Sequence, residues 1–130
     1  MRYTSRIYLD ESVELQKLGN TVVGFFKEEG FLTQMFTIDH MKVIQAKKGG
    51  ILRTLLSTNK ALTTVIRGEP NKIEIFLGVR EWIDEKDEIS LKGSIKNPMK
   101  YFDPVPESLW AYEIEHHLWN HIEINIEIGL

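Results

Sequence analysis

The sequence predicts an α+β fold in which a long N-terminal helix packs on one face of a single, largely antiparallel sheet. Two observations support this prediction. An amphipathic helical stripe covers residues 12–29, and two pairs of β-branched and aromatic segments, within 33–47 and 61–79, each fold back at turn-forming residues. The predicted order is β-α-β-β-(short α)-β-β-α with a possible short C-terminal strand, and residues 1–130 are predicted to form one domain.

The first predicted element is a half-buried strand over residues 3–9. Tyr3, Ile7 and Leu9 fall on one face of this segment together with Ser5, because side chains of a strand alternate between its two faces. Thr4 and Arg6 point to the other face, so the pattern predicts the first strand of the sheet.

A helix is predicted over 12–29. Asp10 or Ser12 offers an N-cap, and Gly30 stands where a C-terminal glycine cap is expected. The apolar stripe recurs at steps of three and four residues and consists of Leu15, Leu18, Val22, Phe25 and Phe26. Gly19 and Gly24 interrupt the helix; either they allow a close approach to the sheet or they are tolerated flexibility.

Two hairpins follow the helix. The first pairs 33–38 with 41–47 across Asp39-His40, and the second pairs 61–67 with 72–79 across the turn-forming sequence Gly-Glu-Pro-Asn. Between them, apolar residues at helical spacing over 51–56 predict a short helix or turn, and a weak strand pattern covers 89–95.

The C-terminal segment fits two periods. Pro106 and the spacing of Trp110, Leu118 and Ile122 predict a helix of about 106–121. Apolar residues at nearly every even position up to Ile128 also fit a strand. We therefore expect a helix first and a short strand from Ile122 onward.

Composition excludes several classes of function. The net charge of −3, from 16 basic and 19 acidic residues, creates no general field that attracts nucleic acid, so no nucleic-acid partner is expected. The absence of cysteine excludes disulfides, thiolate nucleophiles and cysteine-ligated zinc. No stretch has the apolar length of a signal peptide or of the roughly 20 residues needed to span a bilayer, which predicts a cytoplasmic protein without a transmembrane segment.

No catalytic residues are predicted. The chain has no serine in a glycine elbow and no recognisable pair of catalytic carboxylates. Asp39-His40 is the only adjacent acid and imidazole, and it lies where a hairpin turn is expected.

Three residues could together bind a divalent metal ion, the one cofactor that the sequence suggests. On a helix, Glu113, His117 and His121 would share one face because they follow one another at steps of four. The alternative is an ordinary polar edge beside the apolar stripe, since the HExxH pattern is absent.

The most basic part of the chain is a candidate site for a phosphate or carboxylate. Lys47, Lys48, Gly49 and Gly50 precede a possible helix start, and Arg53 follows it, so backbone N–H groups and cationic side chains could converge on an anion. A solvated turn is the alternative explanation.

A candidate interface lies near the C-terminus. Tyr112 and Trp119 would point away from Trp110 on a helix, and Ile124 and Ile126 would belong to an exposed edge strand that could pair with a second chain. Alternatively, residues 84–104 fold back and cover the aromatic side chains.

A resemblance covers about a third of the chain. The stretch from Lys42 to Gly50 and the hairpin from Ala61 to Trp82 resemble a small uncharacterised prokaryotic α+β domain that often occurs beside a zinc ribbon or hydrophobic helices. The resemblance rests on a strand, a Lys/Gly turn and a hairpin, and implies no known activity. The chain departs from that pattern where the polar stretch Asp84 to Lys100 replaces membrane-seeking helices.

These observations predict a non-enzymatic interaction module that forms a homo-oligomer or binds another protein through its C-terminal half. The alternative prediction is a domain that binds a small apolar or anionic ligand between helix and sheet, near Lys47 to Arg53.

Overall fold

Five strands form one antiparallel sheet in the order β1-β5-β4-β3-β2. The computed structural model describes residues 2–9, 13–48, 59–69, 71–84 and 98–129. The strands are β1 (Tyr3–Leu9), β2 (Leu32–Ile38), β3 (Met41–Lys47), β4 (Lys60–Glu69) and β5 (Lys72–Glu81). The chain meanders from β2 to β5, and β1 lies beside β5. The predicted α+β class with one antiparallel sheet is confirmed.

Both predicted hairpins are present. β2 and β3 turn at Asp39-His40, where Asp39 adopts a left-handed backbone with φ 52. Asparagine and aspartate tolerate this conformation in two-residue hairpin turns. The second hairpin is longer than predicted, since β4 and β5 pair from Lys60 opposite Glu81 to Glu69 opposite Lys72. The short helix expected at 51–56 and the weak strand pattern at 89–95 lie outside the described residues.

Helix α1 (Leu15–Glu28) is shorter than the predicted 12–29 and begins after Glu14, which makes no side-chain capping bond. Its end is the predicted glycine cap. Gly30 has φ +87, its N–H donates to the carbonyl of Lys27 at 3.0 Å, and the N–H of Phe31 donates to that of Phe26 at 2.9 Å. This is a Schellman motif, completed by the edge-to-face contact between the rings of Phe26 and Phe31.

Helix α1 lies close to the sheet at Gly19. A Cβ atom at this buried glycine would be 2.8 Å from the sulfur of Met35 and 3.6 Å from Cγ of Lys42. A Cβ atom at Gly24 would have nothing within 4 Å. The close-approach explanation therefore holds for Gly19 and not for Gly24.

The predicted C-terminal strand is wrong, because one helix, α3 (Tyr112–Glu127), covers the segment. Ile122 and Ile126 are buried with Leu118, whereas Ile124 and Ile128 are exposed. Apolar residues at every second position contain pairs four residues apart, so the same isoleucines satisfy a helix and a strand. The predicted helix start at 106 is also early; a 3₁₀ turn, Glu107–Leu109, follows Pro106.

The two long helices cover the same face of the sheet, which we call the helical face. Buried residues of α1, β3, β4, β5 and α3 form one hydrophobic cluster there. The opposite face, which we call the second face, carries a smaller cluster that includes Val43, Val65, Phe76, Tyr101 and Phe102. The core thus has two layers, one on each side of the sheet.

The segment after α2 (Pro98–Tyr101) crosses from the second face to the helical face around the edge of β5, because Phe102 belongs to the cluster of the second face and Val105 to that of the helical face. The N–H of Asp103 donates to the carbonyl of Val79 at 2.8 Å, just past the point where β1 ends its pairing with Gly78. The Asp103 carboxylate also forms an ion pair with Lys60 and lies 3.9 Å from Nη1 of Arg80. These contacts fix the position of the crossing.

Candidate functional site

Strand β1 is an open edge of the sheet that the described residues form. It pairs with β5 on one side, with Ile7 opposite Glu74 and Leu9 opposite Lys72. Its other side leaves a row of backbone N–H and C=O groups without a strand partner in the described part of the chain. Such a row is a template on which another strand can pair.

Two large apolar side chains lie beside this open backbone. Ile7 is 55% exposed and Leu9 is 64% exposed. The helices cover the opposite face of β1, where Tyr8 packs against the main cluster, while Tyr3 packs against the smaller cluster on the second face. Ile7 and Leu9 therefore form an apolar surface on the second face, and we call this pair with the outer backbone of β1 the β1 edge.

The helical face of β1 is fastened to helix α3. Arg6 forms an ion pair with Glu123, and the hydroxyl of Tyr8 donates to the same carboxylate at 3.2 Å. The Arg6 guanidinium also lies 5.1 Å from the centre of the Trp119 ring. Burial, reinforced by the charge and the hydrogen bond of Glu123, raises the pKa of Tyr8 to about 12. These contacts hold β1 in place, where β5 is its one strand neighbour among the described residues.

A cleft of about 410 Å³ opens between the β2–β3 turn and the β4–β5 turn. Its lining consists of Asp39, His40, Met41, Arg67, Gly68, Lys72 and Glu74. Strand register places it next to the β1 edge, because Glu74 and Lys72 are the cross-strand neighbours of Ile7 and Leu9.

Arg67 and Lys72, the two cations of the cleft, are both paired with the carboxylate of Glu74. Nη2 of Arg67 donates to Glu74 at 3.1 Å, and the ammonium of Lys72 lies 3.4 Å from the same carboxylate. Burial opposes the ionisation of Glu74, but the hydrogen bonds and charges of Arg67 and Lys72 outweigh it and hold the pKa of Glu74 below its usual value. A ligand anion would have to compete with Glu74 for these two cations.

The described lysines of the predicted anion site make contacts within the chain. Nζ of Lys47 lies 4.2 Å from the centre of the Trp82 ring. Nζ of Lys48 donates to the carbonyl of Glu29 at 2.7 Å, at the end of α1, and lies 5.2 Å from the Phe31 ring. Gly49, Gly50 and Arg53 lie outside the described residues.

The four residues of the predicted interface separate into two pairs. Tyr112 and Ile124 are exposed on α3. Trp119 and Ile126 are buried in the main cluster of the chain itself. They do not form one surface, because a helix distributes over its circumference the residues that a strand would have placed on one face.

Glu113, His117 and His121 all lie on α3, as the metal hypothesis required. His121 stacks against Phe25, with ring centres 5.6 Å apart, and so contacts α1. Within the described ranges, no group of three or more histidine and carboxylate side chains could hold a metal ion. The helical spacing is present, but these three side chains do not converge.

Sequence reasoning missed the β1 edge and the cleft. The missing information is which face of the first strand the helices would cover, and alternation alone does not supply it. The Arg67–Glu74 pair depends on the length of the turn. The strands turn over two residues, with Glu69 opposite Lys72, and this puts Arg67 opposite Glu74, whereas the predicted four-residue turn would have put Arg67 opposite Lys72.

None of the described helices combines the length and the apolar character needed to cross a membrane. No model of a known protein family matches the chain, and no curated protein matches it.

Proposed function

We propose that this chain is a non-enzymatic protein-interaction module that binds an extended partner strand along the β1 edge. The observation that carries the proposal is the exposure of Ile7 and Leu9, each more than half accessible, beside the outer backbone of an edge strand. In strand addition, main-chain hydrogen bonds supply affinity and alternate side chains supply specificity. The β1 edge offers both.

Natural sheets usually protect an open edge with outward-facing charges, proline or a bulge. β1 contains no proline, and its one charged residue, Arg6, points to the helical face, where it pairs with Glu123. On the second face, therefore, no charged residue of β1 lies beside Ile7 and Leu9.

The opposite edge, β2, is a poorer binding surface. Leu32 is 60% exposed at its start, but the following residues up to Phe36 are half-buried and Ile38 is buried. Helix α1 also packs along β2. Leu32 thus provides a control with similar exposure on the edge that we do not expect to bind.

Titration with a short peptide of alternating valine and threonine tests the proposal, because such a peptide supplies a strand without a specific sequence. We expect amide NMR shifts to concentrate on β1. Burying the exposed half of Ile7 contributes about 1–1.5 kcal/mol, so Ile7→Lys should weaken binding by about tenfold, while Leu32→Lys leaves it unchanged. Shifts that centre on β2, or their absence from both edges in a sample dilute enough to be monomeric, would overturn the proposal.

The cleft supports a second candidate function, the binding of a small anionic ligand. Its volume falls within the range of small-molecule pockets, and an anion that displaces the Glu74 carboxylate would meet both Arg67 and Lys72. Inorganic phosphate should then raise the melting temperature of the wild type and not that of Arg67→Gln. Equal shifts in both proteins would assign the effect to general salt stabilisation.

A further inference from the structure

We infer that the strand partner of the β1 edge is a second copy of this chain, with the two β1 strands antiparallel and Ile7 opposite Ile7. This inference rests on the proposed function and names its partner. It follows from the side chains of β1 itself. When two copies of this strand run antiparallel, their side chains are compatible in one register.

If a twofold axis perpendicular to the sheet relates the two copies, the helical faces of both copies lie on the same side. Odd-numbered residues of β1 must then lie opposite odd-numbered residues, and even-numbered opposite even-numbered. A register centred on Ser5 would pair residues 3–7 only and leave the exposed Leu9 outside the pair. Three others are centred near the middle of β1, on Arg6, on Ile7 or on Tyr8. The first opposes two guanidinium groups, and like charges directly opposite each other destabilise a pair. The third uses only the last residues of a strand that ends at Leu9.

The register centred on Ile7 avoids both problems. Leu9 then lies opposite Ser5 of the second copy and diagonal to its Ile7, within reach across an antiparallel pair. The exposed apolar side chains of the two copies thus form one continuous row on the second face. Ile7 and Leu9, which are exposed in the single chain, thus gain apolar neighbours from the second copy.

The helical face adds charge complementarity. In this register Arg6 lies opposite Tyr8 of the second copy, and the hydroxyl of Tyr8 is hydrogen-bonded to Glu123. The guanidinium of each copy therefore approaches the Glu123 carboxylate of the other. Both side chains of the existing Arg6–Glu123 pair remain about two-fifths exposed, at 43% and 39%, and so retain room for a second contact. The twofold axis produces this arrangement twice.

Cysteine substitution tests the inference directly, because the chain contains no cysteine. Directly opposed residues of an antiparallel pair have Cα atoms about 4.5–5.5 Å apart, within the range of disulfides. We expect Ile7→Cys to form a disulfide-linked dimer under mild oxidation at a rate roughly tenfold or more above that of Leu32→Cys, the exposed control on β2. Leu9→Cys and Ser5→Cys alone should link slowly, and a mixture of the two should link quickly.

Other linkage patterns would overturn the inference. Rapid linkage only between Ser5→Cys and Ile7→Cys would indicate the register centred on Arg6, and rapid linkage only between Ile7→Cys and Leu9→Cys the one centred on Tyr8. Linkage of Leu32→Cys at the same rate as Ile7→Cys would indicate random collision. If the peptide binds β1 but Ile7→Cys stays monomeric, this inference fails and the proposed function stands; if the peptide does not bind either, both fail.

Discussion

Replacement of Gly78 by alanine probes the packing on the second face. A Cβ atom at Gly78 would lie 2.3 Å from Cδ1 and 2.4 Å from Cγ of Phe102, and 2.9 Å from the backbone oxygen of Arg2. Phe102 is fully buried, and its ring is held between the rings of Tyr3 and Tyr101, with centres 5.8 Å and 5.1 Å away. The Phe102 ring therefore occupies the space that a side chain at residue 78 would need.

The magnitude follows from these distances. Carbon atoms in contact lie about 3.5–4.0 Å apart, so the ring would have to move by more than about 1 Å. An added methyl group in a well-packed core costs about 1–3 kcal/mol. Because a backbone oxygen is also too close, we expect the upper end, about 3 kcal/mol, with a melting temperature lower by about 10 °C.

Urea unfolding followed by the fluorescence of the three tryptophans measures this loss. Gly24→Ala is the control, because nothing lies within 4 Å of its added Cβ atom and alanine favours the helix. It should raise the free energy of unfolding by about 0.5–1 kcal/mol. The double variant with Phe102→Ala should lose less than the sum of its parts. A loss below about 1 kcal/mol in Gly78→Ala would refute the packing argument.

Two further predictions concern buried polar groups. Gln45 accepts hydrogen bonds from the Ile83 N–H and from Gln34, both at 2.8 Å. Gln45→Leu leaves the buried Ile83 N–H without this partner and removes the hydrogen bonds that the Gln45 amide donates to Thr63 and to the Glu81 carbonyl. It should lower the free energy of unfolding by about 3 kcal/mol in the same urea assay; a change under about 1 kcal/mol would contradict this. Burial raises the pKa of Tyr101 to about 12, as it does for Tyr8. Because the pKa of each tyrosine is higher in the folded state than the usual 10.0, the protonated hydroxyl groups favour the folded state. Their contribution to the free energy of unfolding is complete below pH 10 and disappears as the pH rises towards 12. Ultraviolet titration should show that Tyr8→Phe removes one late-ionising tyrosine, and an unchanged late phase would refute the assignment.

The hairpins and the first helix were predictable because their signals are local. A turn at Asp39-His40 and one at the Gly-Glu-Pro-Asn sequence lie between segments of strand-forming residues, and a glycine ends the helix stripe. Each of these features acts within a few residues, so tertiary contacts did not have to be known.

The C-terminal helix was only partly predictable. Isoleucines at every second position from Ile122 to Ile128 fit both periods, and their alternation favoured the strand that the structure does not form. The choice depends on contacts with the sheet, where Ile122 and Ile126 pack together with Leu118 and Trp119. The predicted interface failed to form one surface for the same reason.

The sequence by itself determined the class of fold, the number of cysteines, the charge balance and the positions of the turns, because each depends on composition or on neighbouring residues. Only the tertiary structure decided which face of the sheet receives both helices. That choice partly buries Tyr8 and leaves Ile7 and Leu9 exposed on β1, which the strand order places at an edge of the described sheet. The physical reason is that alternation assigns residues to two faces of a strand but cannot say which face the rest of the chain will cover.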